Sequence, residues 1–393
     1  MNLWIAAVRV CLETDMPPVF GKEDGEFRVK PRGPSSLPMN GPFFTERRNR
    51  GDPDMIVKTL PVEQAVGKKI SHDLTLIDPE TGFKGARFRR GHVIAEDDVP
   101  LLRRMGKTNI FFLELSPGEL HEDEAALLLG ERMKGAGLEL RGPEEGKCTL
   151  VACRDGLLHF SDDDIDFIND DPDWLFTTRP NKTPVTKGMA AAAFRIGPLS
   201  MERSRVDRAR NASPLSVLPW SPLPAALVTT GREIFEGTVR DAFLPKLIKK
   251  LDVYGAPFLG QTFCPDDRDS IIGAAAAWLE KGARIIICTG GMSVDADDLT
   301  PGAIEAICDE VVFRRIPVIP GANLMLARRR NSFVLGVPAS AVFFGRTSLD
   351  MVLDRLYAGI PPSGAEVRRW GKGGLCRNCV SCSYPGCAFS ARS

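Results

Sequence analysis

Arg284-Ile-Ile-Ile-Cys288 runs without a break into Thr289-Gly-Gly-Met-Ser293, and on through Val294-Asp295-Ala-Asp297-Asp298-Leu-Thr300-Pro301. The apolar run is too short for a helix and rich in β-branched residues, so it reads as a strand buried on both faces. The glycine pair at its end marks a turn where the backbone can approach a ligand closely. Working outward, the pattern repeats. Ala225 to Val228 is a short buried strand feeding Thr229-Thr-Gly231-Arg-Glu233, with Gly237 and Asp241 beyond. Helical stretches follow at 241–254, 274–281, 302–307 and 339–357, and further strands at 258–263 and 332–335. Asp266-Asp267 stands where a cap would open the second helix. Strands alternating with helices predict an α/β fold, a three-layer αβα arrangement on a parallel sheet. Such sheets bind ligands at the carboxyl ends of their strands.

Both glycine loops begin at such ends. Their N–H groups can ring a phosphate, and the hydroxyls of Thr289, Ser293 and Thr300 add donors. Carboxylates beside a phosphate would repel it unless a cation lies between, so Asp298 with Asp241 or Asp295 implies a hard divalent ion, Mg2+. The competing reading is structural: a tight strand-to-helix turn in which Asp298 and Thr300 cap the helix near Pro301.

The chain has 393 residues, enough for two to four domains. Lys plus Arg and Asp plus Glu both number 51, so no net field favours a nucleic acid. No apolar run reaches the roughly 18 residues that would span a membrane. The first residues lack a secretory pattern, and the expected location is cytoplasmic. The division expected is a disordered extension (1–54), a small mixed α/β domain (55–117), a second β-rich domain (118–202), a linker (203–222), the αβα domain (223–362) and a Cys-rich metal-binding tail (363–393). The composition breaks at Met55, which is a candidate natural start.

Of ten cysteines, six are scattered, as small buried thiols in a cytosolic protein would be. The other four form Cys376-x2-Cys379-x2-Cys382-x4-Cys387. Two intervening residues let a loop wrap a metal, and the first three spacings match an iron–sulfur run. Zn2+ remains an alternative to the iron–sulfur cluster, and so does a flexible redox-active tail. His72, His92, His121 and His159 are expected to be surface or hydrogen-bonded residues. Arg328-Arg-Arg330 reads as solvated surface.

The stretch 225–357 resembles the molybdopterin-binding domain of molybdenum-cofactor biosynthesis proteins, on Thr230-Gly231-Arg-Glu233, Gly237, Asp241, Thr289-Gly-Gly-Met-Ser293 and Asp298. Upstream, Ala65-Val-Gly67, His72-Asp73, Phe83-Lys-Gly85 and Gly91-His-Val-Ile94 resemble the amino-terminal parts of molybdopterin molybdenumtransferases, the gephyrin-related insertases. Residues 55–393 resemble still more a shorter bacterial molybdopterin-binding branch with a Gly-Gly-Leu-Cys tail.

The resemblance implies a protein of molybdenum-cofactor maturation that binds molybdopterin and promotes molybdate insertion into its dithiolene. Thr230, Gly231, Glu233, Gly237, Thr289, Gly290, Gly291, Ser293, Asp295 and Thr300 would bind the pterin. Asp241 and Asp298 would be catalytic and would place Mg2+ or molybdate. The insertases also imply a homodimer. Two departures stand out: insertases have Asp-Ser-Asn where this chain has Asp241-Ala242-Phe243, and Pro-Gly-Asn-Pro where it has Gly336-Val-Pro-Ala-Ser340. They favour an alternative, a non-catalytic carrier that delivers cofactor to a client molybdoenzyme such as a formate dehydrogenase. A hydrolase acting on a nucleotide or pterin phosphate is a third reading.

Overall fold

The computed structural model describes residues 56–292 and 298–389, all within one compact unit, Asp54–Ser393. The expected extension 1–54 and the start at Met55 lie outside the described residues. The fold is α/β. Its centre is a six-stranded sheet in the order Phe258–Cys264, Ala225–Thr230, Ile285–Thr289, Ser332–Val337, Met325–Arg329, Glu310–Arg314.

The three-layer arrangement follows from strands that are apolar on both faces. Ala225, Leu227, Ile285, Ile287, Leu335 and Val337 face one core, shared with the helices Leu244–Asp252 and Ser348–Tyr357. Ala226, Val228, Ile286, Cys288 and Val334 face the other, under the helices Arg268–Glu280 and Thr300–Ile307. Each fully buried aliphatic side chain contributes about 1.5–3 kcal/mol, which is why a run such as Ile-Ile-Ile-Cys is stable only between two helical layers.

The first four strands are parallel. The sequence pattern foresaw only these. The sheet is extended by two antiparallel strands, Met325–Arg329 and Glu310–Arg314. Arg329 pairs with Ser332 across the two-residue turn Arg330-Asn331, with Arg330 at φ +51°. A positive φ at such a position matches the right-handed twist of a hairpin. The Arg328-Arg-Arg330 run is therefore a hairpin tip, and Arg328 pairs with Glu310 at 2.7 Å.

The expected helix 339–357 is broken into Ser340–Phe343 and Ser348–Tyr357. Thr347 starts the second piece with a capping box: its Oγ1 accepts from Leu349 N–H at 3.2 Å, and its own N–H donates to Asp350 Oδ2 at 2.8 Å. The second piece is buried on every side, Ser348 to Tyr357, rather than amphipathic as expected.

Upstream, Val62, Ile70, Leu74, Phe88, Leu102 and Ile110 form a small core between two antiparallel pairs and a short helix. A larger core gathers residues from Leu120 to Val217 around the helix Glu122–Met133 and a four-stranded antiparallel sheet. Residues 203–222 were expected to link domains. They carry the helix Arg203–Arg208 and the strand Ser216–Pro219, and Val206, Ala209, Leu215 and Val217 belong to that larger core. Their proline-rich text disguised an edge strand, a place where proline is tolerated. Among the described residues, no helix is long and apolar enough to cross a membrane.

Candidate functional site

Thr229 lies in register with Thr289 on adjacent parallel strands, and Thr289 with Val337 on the next. Thr230 is level with Cys264 on the fourth strand. The segments that follow all four strands therefore leave the sheet at one edge. The two glycine loops touch there. A methyl group on Gly290, which has φ +94°, would lie 2.2 Å from the Thr230 carbonyl oxygen and 2.4 Å from Thr230 Oγ1. Only glycine fits, because the position combines a left-handed backbone with backbone contact to the neighbouring strand. Thr300, fully buried, donates from Oγ1 to the Gly290 carbonyl at 2.8 Å and so ties the second loop to the helix it opens. This replaces the capping role expected for its hydroxyl. Gly291, at φ +56°, packs onto the same Oγ1.

On the first loop, Arg232 N–H donates to Asp266 Oδ2 at 3.1 Å, which pins the turn after Gly231. The helix expected behind Asp266-Asp267 is capped by Asp267, whose carboxylate accepts from Ser270 N–H at 2.8 Å. Glu233 is exposed; its carbonyl accepts from Thr238 N–H and Oγ1 at 2.9 and 2.8 Å, closing a turn through Gly237. Asp241 is occupied. Its carboxylate accepts from Phe243 N–H at 2.8 Å and Leu244 N–H at 3.4 Å, and from Gln261 Nε2 at 2.7 Å. Gln261 Nε2 also donates to Thr229 Oγ1 at 2.9 Å. Asp241 thus serves the start of the helix Leu244–Asp252 and fastens it to the sheet edge. Asp298 is half-buried. Ser293 and Asp295 lie outside the described residues.

Two hydroxyl oxygens at this edge, Thr230 Oγ1 and Ser340 Oγ, are buried with no hydrogen-bond partner among the described residues. A buried hydroxyl left unpaired costs about 1–3 kcal/mol; the two lie at the carboxyl ends of the strands that flank Ile285–Thr289 on either side. Nothing local in the sequence marked Gln261, which sits in an ordinary strand and acts through partners set by strand order; Asp266 was marked only as a helix cap, and its bond to the first loop depends on the fold.

The departures from the insertase pattern acquire a physical meaning. Phe243 is buried in the core beneath the helix it precedes, so it offers no polar group to the edge. Gly336 accommodates Met292: a methyl group there would lie 2.5 Å from Met292 Cε.

Residues 226–357 match the family described as "Probable molybdopterin binding domain", and residues 59–114 match a domain of unknown function. The first of these matches takes in the four parallel strands and both glycine loops. The chain is 28% identical over 133 residues to a molybdopterin molybdenumtransferase of Synechococcus elongatus, covering 31% of this chain and 33% of the relative. It is 30% identical over 128 residues to a CinA-like protein of Mycolicibacterium gilvum, covering 28% of this chain and 30% of that one. The chain thus spans about a third of the length of these relatives. A tungsten cofactor synthesizing protein MoaB from Pyrococcus furiosus is 17% identical with a TM-score of 0.30, covering 38% of this chain and 98% of that one.

Away from the edge where the glycine loops meet, the scattered cysteines are packing residues where they are buried. Burial pushes the Cys288 thiol up to about 12 and, with Asp123 adding to the effect, the Cys148 thiol up to about 11. Both stay protonated and unreactive at neutral pH. Cys153 is exposed. His121 accepts from Asp123 N–H at Nδ1, 3.2 Å, and reaches the Ser71 carbonyl from Nε2, 3.0 Å, a hydrogen-bonded structural role. Among the described residues, no three His, Cys, Asp or Glu side chains are grouped closely enough to hold one metal ion.

Proposed function

We propose that the protein binds molybdopterin at the carboxyl edge of the six-stranded sheet and promotes molybdate ligation to its dithiolene. The observation that carries this reading is the meeting of the two glycine loops at Gly290 and Thr230, where the Thr230 hydroxyl is buried and unpaired, with the unpaired Ser340 hydroxyl beyond the end of another of the parallel strands. Thr289, Gly290 and Gly291, with Ser293, would surround the terminal phosphate. Thr230 and Ser340 would donate to its oxygens. Thr300 would keep the loop shaped for the anion. Glu233, Gly237 and Asp295 would line the rim.

The protein's task is positioning and charge neutralisation. Asp241 is already satisfied by two backbone N–H groups and Gln261, so it fits the helix-capping role better than a metal-ligand role. Asp298 is the carboxylate that would hold Mg2+, sharing it with phosphate oxygens of the substrate. One or two carboxylates plus phosphate is the usual protein share of a magnesium shell. The ion would screen the phosphate from Asp298 and polarise the incoming molybdate.

Asp298→Asn keeps the size of the side chain and removes its charge. Molybdopterin binding, read by fluorescence of the oxidised pterin, is expected to persist. Molybdate incorporation should fall roughly 10²-fold, as expected when a few kcal/mol of charge stabilisation is lost. Unchanged incorporation would overturn the role of Asp298, and absence of pterin binding in the parent protein would overturn the site.

A carrier reading is favoured by one observation, the commitment of Asp241 and Phe243 to helix and core. Its signature is tight binding of molybdopterin by the parent protein with no molybdate incorporation, followed by transfer to a client enzyme.

A further inference from the structure

The four clustered cysteines all line one cavity of about 260 Å³, together with Arg346 and Tyr384. The segment that carries them is built onto the body of the protein. Cys376 N–H donates to the Ile319 carbonyl at 2.9 Å, and Ile319 N–H to the Gly374 carbonyl at 2.8 Å, a short parallel bridge. Tyr384, between Cys382 and Cys387, donates its hydroxyl to the buried carboxylate of Asp354 at 2.6 Å. Phe389 is 4% exposed and belongs to the core beneath the sheet, with Cys376 and Cys387 packed against it. A flexible tail would make none of these contacts.

The local geometry is that of a thiolate-bearing turn. Asn378, between Cys376 and Cys379, has a left-handed backbone at φ +49°. Its N–H donates to Cys376 Sγ at 3.5 Å. A backbone N–H aimed at sulfur stabilises negative charge there, as it does around metal-bound thiolates. The Arg346 guanidinium lies 4.6 Å from the Tyr384 ring centre and so brings positive charge to the cavity wall.

The four thiols are spread around one cavity of about 260 Å³. Zinc needs its four sulfurs drawn to about 2.3 Å from one point, whereas an iron–sulfide core takes one thiolate at each of its corners. Thiols spread around a shared space favour the second arrangement.

We infer that Cys376, Cys379, Cys382 and Cys387 bind a [4Fe–4S] cluster in this cavity. The core enters preassembled, with its bridging sulfides and iron oxidation states unchanged. Four thiolate sulfurs replace the ligands that delivered it, and the four thiol protons pass to solvent. Arg346 offsets part of the resulting negative charge. The inference is independent of the molybdopterin reading, because the cavity uses none of the glycine-loop residues.

The test is iron, acid-labile sulfide and zinc analysis of the full chain purified without oxygen, with electron paramagnetic resonance after dithionite reduction. About four iron and four sulfide per chain are expected, with a signal that disappears in Cys379→Ser and Cys382→Ser. Both of these cysteines are exposed, so their replacement leaves the fold intact, checked by circular dichroism. Cys153→Ser, an exposed thiol outside the cavity, should keep the full cluster. One zinc per chain, no metal, or a cluster that survives in the Cys379→Ser, Cys382→Ser double variant would each overturn the inference.

Discussion

Gly290→Ala is expected to lower the melting temperature by on the order of 10 °C and to weaken molybdopterin binding at least about tenfold. The added methyl would lie 2.2 Å from the Thr230 carbonyl oxygen, far inside contact distance. The atom it meets is backbone in the neighbouring strand, so it cannot swing aside. Left-handed strain of about 1–2 kcal/mol and overpacking of about 1–3 kcal/mol add at the same position. The loops must separate, and separation spoils the anion site. Gly282→Ala is the matched control. Gly282 also has a positive φ, +91°, but a methyl there meets nothing within 4 Å. It should cost only about 1 kcal/mol. Equal losses from the two variants, in thermal unfolding and pterin titration, would mean that the contact with Thr230 is unimportant.

The second large effect is a pH dependence seated in Asp354. Burial pushes its carboxyl up from 3.8 to about 6, opposed by hydrogen bonds from the hydroxyls of Tyr384 and Tyr254, while Asp350 adds to the rise. Below about pH 4 the folded and unfolded chains both hold this proton. Between about pH 4 and 6 the folded chain keeps it and the unfolded chain releases it. Stability therefore falls as pH rises through this window, by about 3 kcal/mol from this group, and levels off above it. Asp354→Asn carries no such proton. The stability of Asp354→Asn relative to the parent should rise by about that amount between pH 4 and 7 in denaturant titrations. A difference that stays constant across this range would refute the assignment to Asp354.

Much of the candidate site was legible from local text. Ile285 to Cys288 can be stable only between two apolar layers, and a glycine pair after it marks a turn where the backbone can approach a ligand. Those statements need no knowledge of the rest of the chain. The two antiparallel strands were not legible, because Met325–Arg329 and Glu310–Arg314 owe their place to a hairpin tip that reads as a run of surface charge. The strand Ser216–Pro219 was hidden by its prolines, whose meaning depends on lying at an edge.

The carboxylates show the limit most clearly. Asp241 and Asp298 looked alike as ligands in the sequence. The fold gives Asp241 two N–H donors within three residues and an amide from Gln261, twenty residues away, so its charge is already used. The cysteines show the converse. Their spacing announced a ligand set, but contacts with distant residues, the backbone bridge to Ile319 and Tyr384 reaching Asp354, thirty residues away, fix the segment against the protein.

The amino-acid sequence alone determined the layered architecture, the two glycine turns and the thiol spacing, since apolar burial on both strand faces, glycine's free φ and short chain intervals are properties of neighbouring residues. Tertiary structure alone decided which acid is spent on a helix, which hydroxyls are left without partners and how wide a space the thiols enclose. Those outcomes depend on strand order and on contacts between distant residues, which no local stretch of chain contains.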